Sequence, residues 1–278
     1  MCRLLAVSRS GYDEWLSRPP RAQAQVAQQL QAKVQHYFAQ GRGTYGTRRI
    51  TYLLAQEGLQ VSRRRIGRIL AQAGLRCTTR RRCKAPTAAG QAQTVAPNQL
   101  NREFTVKEPD TVYVGDMTSL PTGEGWLYLA VVLDRCSRAV VGWSMANHMR
   151  AELVTQALSM ALGQRQPAAG LIMHTDRGSQ YGADSSRQLL TQHGIEPSMS
   201  RKGNCWDNAV AESFFHTLKT ALIYLEDDDT HAQAQTAVLE YFEVFYNRQR
   251  GHAANGYRAP LVYEQTLKTH ESLCPEKG

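Results

Sequence analysis

Asp116, Asp176 and Glu212 are the residues whose type and spacing could do chemistry. Asp116 stands in Val114-Gly115-Asp116-Met117-Thr118. Asp176 stands in His174-Thr175-Asp176-Arg177-Gly178-Ser179-Gln180-Tyr181, and 35 residues separate it from Glu212. Three carboxylates crowded together repel one another unless cations neutralise them. Hard oxygen donors favour Mg2+ or Mn2+. Two such ions about 4 Å apart can activate an attacking oxygen and stabilise a leaving one in phosphoryl transfer. The chain holds 24 Asp and Glu residues, so three unrelated surface acids is the competing reading of the acids alone.

The elements around them decide whether they can meet. Thr111–Val114 is a short β-prone run that should end near Asp116. Trp126–Leu133 and Arg138–Met145 read as strands joined into a hairpin by the polar turn Asp134–Ser137. Ala151–Leu162 and Ser185–His193 have helical patterns. Leu171–Met173 begins a strand that runs into Asp176, and Ile195–Met199 reads as a fifth strand. Asp207–Tyr224 reads as a helix capped by Asp207 or Asn208. The order βββαβαβα predicts a mixed α/β sheet with helices on its faces. If the first and fourth strands are neighbours, their ends set Asp116 beside Asp176, and the last helix brings Glu212 over them.

On that helix Asn208, Glu212, His216 and Lys219 share one polar strip. Ala211, Phe214, Phe215, Leu218 and Leu222 form the neighbouring apolar stripe, which should pack on the sheet. Lys219 is either a phosphate ligand or a solvated lysine. His174, two residues before Asp176 on one strand face, could orient a carboxylate, touch nucleic acid or simply pack. Thr230–Tyr246 is a further amphipathic helix whose apolar stripe includes Ala234, Ala237, Val238, Tyr241, Phe242, Phe245 and Tyr246.

The N-terminal third is built differently. The chain carries a net charge of +9, but residues 1–100 alone carry +14 and residues 101–278 carry −5. That asymmetry points to a nucleic-acid-binding module joined to something else. Thr47–Glu57 and a helix capped by Ser62 flank a turn at Gly58, the pattern of a helix-turn-helix. The second helix opens on Arg63, Arg64 and Arg65, followed by Arg68, where a recognition helix presents side chains to the groove. Arg76–Lys84, with Arg80, Arg81 and Arg82, reads as an arm on phosphates. The expected boundaries are a basic helical region over 1–85 with its helix-turn-helix at about 44–75, a linker over 86–108, a catalytic core over 109–226, and a C-terminal helix and tail over 227–278.

The motifs resemble those of the DDE transposases of the insertion sequence 3 family, in particular the product of the second reading frame. The resemblance rests on the blocks around Asp116 and Asp176, on the run Ser200–Lys219 around Glu212, and on the 35-residue spacing. It extends to Tyr45-Gly46-Thr47-Arg48-Arg49-Ile50, similar to the family's helix-turn-helix. The start Met1–Leu5 and Ser8–Tyr12 is similar to its frame junction, and Tyr246-Asn247 through Pro260 to its C-terminal block. That block departs from the family's His-Ser-Ala-Leu-Gly-Tyr, reading His252-Ala253-Ala254-Asn255-Gly256-Tyr257. The resemblance implies a ribonuclease H-like, retroviral integrase-type core and metal-dependent cleavage at element ends. It further implies transfer of the freed 3′-OH into DNA, by a copy-out, paste-in route through a circular intermediate. Asp116, Asp176 and Glu212 are then the catalytic ligands of two Mg2+ or Mn2+ ions. The expected DNA contacts are Lys219, Asn208, Arg177, Arg201, Lys202 and His252, with Arg48, Arg49, Arg63, Arg64, Arg65, Arg68, Arg80, Arg81 and Arg82. Double-stranded DNA (terminal repeats and target), an upstream first-frame product or fusion module, and further copies of the chain are the expected partners.

Other classes are disfavoured. No apolar run is long enough for a membrane span, and no secretory signal is legible, so a cytoplasmic, bacterial-cytosol setting is expected. Six cysteines without a CxxC pair argue against a disulfide framework or a zinc site. A non-catalytic DNA-binding regulator of transposition is the alternative, separated by metal-dependent cleavage. A nuclease for RNA–DNA hybrids is separated by substrate competition. Arg250, His252 and Tyr257 lie too close in sequence for the dispersed site of a tyrosine recombinase.

Overall fold

A computed structural model describes residues 8–17, 22–78, 95–100, 106–201, 209–223 and 229–273. The chain divides into two compact units, Met1–Cys77 and Thr78–Gly278.

The first unit is helical: α1 (Arg9–Ser17), α2 (Ala22–Gln40), α3 (Thr47–Gln56) and α4 (Arg63–Gln72). Ile50 and Leu54 of α3 and Ile66 and Leu70 of α4 recur at i, i+4, the spacing of one helix face. All four are buried, as are Leu30, Val34 and Phe38 of α2. Ser62 caps α4 as its sequence predicts, its Oγ accepting the Arg65 N–H at 3.3 Å. Gly58 and Gly74, at φ +78° and +69°, lie just past the ends of α3 and α4 in the left-handed conformation that glycine adopts without steric cost. Glu57 accepts from Tyr37 and pairs with Lys33, tying α3 to α2. Every residue of α1 is exposed.

The second unit is built on one sheet. Its strands are β1 (Val112–Thr122), β2 (Gly125–Asp134), β3 (Val140–Ala146), β4 (Ile172–Thr175) and β5 (Glu196–Met199), in the order β3-β2-β1-β4-β5. The first three are antiparallel neighbours, and β4 and β5 add in parallel. α5 (Ala151–Arg165) and α6 (Asp184–Gln192) contribute Leu153, Ala157, Leu158, Leu162 and Leu190 to a core with Tyr113, Val132, Val141 and Met173. By strand alternation Leu120, Leu127, Leu129 and Leu133 face the other way. α7 (Ala209–Leu218) packs on β1. Its Phe214 meets Tyr246 edge-on at 4.9 Å, beyond α8 (His231–Glu240). Thr230 and Gln233 close a capping box at the start of α8.

Three elements differ from their local pattern. β1 runs through Asp116 to Thr122 instead of stopping near it. Its ladder with β2 continues from Asp116↔Val131 to Thr122↔Gly125, so tertiary pairing overrides the weak β-propensity of Gly115, Asp116 and Pro121. α7 gives way at Lys219–Ile223 to a π-helical turn, where the Thr220 hydroxyl donates to the His216 carbonyl at 2.7 Å. Such back-bonding distorts helices. α8 likewise passes into a π-helical segment, Tyr241–Tyr246. The caps expected at Asp207 and Asn208 lie outside the described residues.

At the end of the sheet where β1 begins, charges are closely mated. Arg165 of α5 makes two 2.8 Å bonds to Glu264 of α9 (Pro260–Leu273) and lies 3.7 Å from Asp110. Asp110 accepts from the Tyr113 hydroxyl at 2.7 Å. Asp134 accepts three bonds, from the Asp110 N–H at 2.7 Å and from the Ser137 N–H and hydroxyl at 2.6 and 2.8 Å. Among the described residues no helix is long and apolar enough to cross a membrane.

Candidate active site

The parallel ladder sets Val114 beside His174 and Gly115 beside Thr175, where β4 ends. Asp116 and Asp176 are the next residues along these two segments. β1 continues past this point with β2, so the pair sits in the fork where the strands part. Gly115 makes the fork tight. A Cβ there would lie 2.4 Å from Met173 Cε and in van der Waals contact with Thr175 Cγ2 and Tyr181 Cε1, so a side chain would have to displace the end of Met173.

Both aspartates act electrostatically on one neighbour, Tyr181. Burial pushes the Tyr181 phenol well above its usual pKa, and the nearby charges of Asp116 and Asp176 push it further. Burial also raises the Asp176 carboxyl, opposed by one backbone donor, the Gly178 N–H at 2.9 Å. Asp116 accepts the Met117 N–H at 2.7 Å. The half-buried Lys219 loses affinity for its proton through burial, while Asp116 holds it charged. The site therefore joins two adjacent carboxylates to one ammonium, carried by β1, the end of β4 and the end of α7.

The loop after Asp176 is braced from β5. His174 is fully buried, its Nδ1 2.9 Å from Ser198 Oγ and its Nε2 3.1 Å from Ser200 Oγ. Of the three roles open to it in sequence, burial leaves packing and orientation. The Arg177 Nε donates to the Ser200 carbonyl at 2.7 Å, which makes Arg177 a strut of this loop. Ser198 carries no signal as a site residue in sequence, and Tyr181 and Ser200 stand inside the motif blocks with no role legible for them there. Serines have no periodic signature, and their role appears only when β5 lies beside β4.

Glu212 sits exposed in the first turn of α7. Among the described residues no group of three His, Cys, Asp or Glu side chains is gathered to hold a metal ion. The structure thus brings Asp116 and Asp176 together and leaves Glu212 outside that pair. Lys202, Asn208, Arg80, Arg81 and Arg82 lie outside the described residues. Arg201, Arg48, Arg63, Arg64, Arg65 and Arg68 are exposed. The Arg49 guanidinium stacks 5.5 Å above the Tyr45 ring. His252 sits edge-on to Tyr246 at 4.9 Å inside the packed C-terminal block. In that block Asn247 holds the Val140 N–H and carbonyl at 2.9 and 3.0 Å, and Asn255 donates to the Ser137 carbonyl at 2.6 Å. The departure from the family pattern at Asn255 therefore has a structural reason: it pins the block to the β2–β3 turn.

Residues 106–205 and 193–260 match family models described as integrase core domain, and residues 25–82 match one described as HTH-like domain. The strand order, the paired aspartates and these matches define an integrase-core polynucleotidyl transferase. It has a ribonuclease H-like sheet and a helix-turn-helix-like N-terminal region. The chain is 41% identical to an insertion element IS600 uncharacterized 31 kDa protein of Shigella sonnei, covering 95% of this chain and 97% of that one. It is 38% identical to the transposase InsF for insertion sequence IS3A of Escherichia coli, covering 95% and 92%. A simian T-cell lymphotropic virus intasome chain aligns with a TM-score of 0.49 at 15% identity, over 79% of this chain and 70% of that one. The chain belongs to the insertion sequence 3 family of transposases.

Proposed function

We propose that this chain cuts DNA at the ends of an insertion element and joins the freed 3′-OH to a second phosphodiester. The observation that supports this most directly is the pairing of Asp116 and Asp176 in the fork of β1 and β4, within an integrase core. The donor set suits a hard divalent cation. Two carboxylates share one place, and the Asp176 charge is disfavoured by burial with a single N–H against it. Asp116, Asp176 and Glu212 would hold two Mg2+ or Mn2+ ions. Bound there, the metals supply charge neutralisation at phosphorus and activation of the attacking oxygen.

The chain's own groups do the rest. Tyr181 walls the underside of the carboxylate pair and keeps water from that side. The Gly178 N–H fixes the orientation of Asp176, and the His174–serine brace fixes the loop that carries it. Lys219, held charged by Asp116, presents an ammonium to a phosphate of the bound strand. Glu212 comes from α7, whose apolar side, with Phe214 and Leu218, is buried while Glu212 faces out. Cleavage and joining are both in-line displacements at phosphorus, so one constellation serves both. The basic first unit binds terminal repeats, and two copies or more hold two ends together. An upstream first-frame module completes end recognition, and the work is done in the cytosol on chromosomal DNA.

The test is strand cleavage and joining on labelled duplexes carrying the ends of the source element, with Mg2+ or Mn2+ and with Glu212→Gln alongside. Metal-dependent nicking and joining, lost in the variant, is the expected result. Turnover by Glu212→Gln equal to that of the parent would overturn the assignment. Binding without cleavage, also in a fusion with the upstream frame, would make the chain a regulator that acts by occupancy. Preference for an RNA–DNA hybrid over duplex would make it a hybrid nuclease.

A further inference from the structure

The four arginines of α4 are not equivalent. Ile66 and Leu70 mark the buried side of the helix. At 3.6 residues per turn, and measured from the middle of that side, Arg68 points about 180° away and Arg64 about 140°, the two most outward of the four. From the same middle Arg63 points about 40° to one side and Arg65 about 120° to the other. The Arg63 flank is the one nearer α3, since a Cβ on Gly67 would meet Thr47 Cγ2 at 3.6 Å. All four side chains are exposed, and among the described residues none forms an ion pair. Three of them crowd the positive end of the helix, and its first turn holds no acidic residue. Cations there oppose the helix dipole, an arrangement that favours an anionic partner.

Resting on the reading that α4 enters the major groove of element-end DNA, we propose that Arg64 and Arg68 read two guanines. Arg63 and Arg65 clamp the phosphates of the flanking strands. Only the outward ridge of a helix lying in the groove faces base edges, whereas its flanks face the backbones. Arg64 and Arg68 are separated by about 6 Å along the axis, close to two base steps of about 3.4 Å. A guanidinium matches the O6 and N7 acceptors of guanine with two parallel bonds, which an ammonium cannot reproduce. Ala71 continues the same outward ridge and is exposed, a small apolar surface suited to a thymine methyl.

The experiment is selection from a randomised duplex library by the full chain and by five variants: Arg63→Ala, Arg64→Ala, Arg65→Ala, Arg68→Ala and Arg64→Lys. Affinities are then measured against salt, and circular dichroism confirms helix content. The parent should enrich a motif with two guanines two or three steps apart. Arg64→Ala and Arg68→Ala should each relax one guanine, with about 5- to 100-fold less discrimination there. Arg64→Lys should bind with near-parent affinity and the same relaxation. Arg63→Ala and Arg65→Ala should enrich the parent motif and lower the slope of log K against log salt by about 0.9 each. Replacing a selected guanine by 7-deazaguanine, which lacks N7, should weaken the parent and leave the matching variant unaffected. An unchanged motif in Arg64→Ala and Arg68→Ala, or a changed one in Arg63→Ala or Arg65→Ala, overturns the division of labour alone. A parent that enriches no motif overturns the groove reading and the inference with it.

Discussion

The two ends of the catalytic sheet treat buried carboxylates in opposite ways. Where β1 begins, Asp134 is pushed up by burial but receives three hydrogen bonds, and Asp110 and Glu264 share the Arg165 guanidinium. Where β4 ends, Asp176 is also pushed up by burial but receives one, and the ammonium beside Asp116 is itself partly desolvated. Desolvation disfavours a charge wherever it occurs, and bonds to the charged form repay it. The first end is a finished structural joint. The second is electrostatically incomplete, the setting into which the proposed cation and phosphate would fit.

The largest effect should come from removing a charge at the incomplete end. Asp116→Asn, Asp176→Asn and Glu212→Gln should each lower strand cleavage by at least about 10³-fold, equivalent to about 4 kcal/mol of barrier. Filter binding of end DNA should stay within a few-fold, and loss of binding in step with cleavage would count against the contrast. At the finished end the outcome should reverse. Arg165→Ala strands Glu264 and should cost about 3 kcal/mol of stability, seen as a melting temperature lower by about 6–12 °C. Specific activity measured well below melting should persist. The double change Arg165→Met with Glu264→Leu should recover most of that loss, because the isolated charge is what is expensive.

A third test sharpens the contrast by supplying a divalent cation. Mg2+ at about 100 times its dissociation constant should stabilise the parent by about 2.7 kcal/mol, and Asp116→Asn or Asp176→Asn much less. Thermal shift at fixed pH checks this, and equal shifts in all three would break it. The smallest effect concerns pH without metal. Asp176 has a folded pKa raised above its unfolded value, so its contribution to stability is fully present below the unfolded pKa. It is lost as pH rises through the folded pKa. Asp176→Asn removes that penalty and should melt about 2–4 °C higher at neutral pH in chelator, with a flatter pH profile. A variant that melts lower than the parent would show that the carboxylate is a structural partner after all.

Much of this was legible in the residues, for identifiable reasons. The Asp134–Ser137 turn, the Ser62 cap and the Ile66/Leu70 face are local signals, and each lies where its pattern predicts. The block around Asp176 is a local signal as well, whereas its spacing to Glu212 is a regularity of the sequence that the Asp116–Asp176 pair does not include. The length of β1 was hidden because its second half is held by β2, and Gly115, Asp116 and Pro121 do not advertise a strand. The π-helical turns were hidden because a helical pattern of apolar residues over one turn does not distinguish i→i+5 from i→i+4 bonding. The brace from His174 to Ser198 and Ser200 is long-range, so no window of sequence contains it.

The fork between β1 and β4 has one further consequence. Asp116 lies inside a strand paired on through Thr122, whereas Asp176 stands on the first residue of a loop. The site therefore works like a vice with one fixed jaw. On the proposed reading Asp116 keeps the reference position through backbone pairing, while the second jaw is set by side chains, the His174 brace to Ser198 and Ser200 and the Arg177 strut.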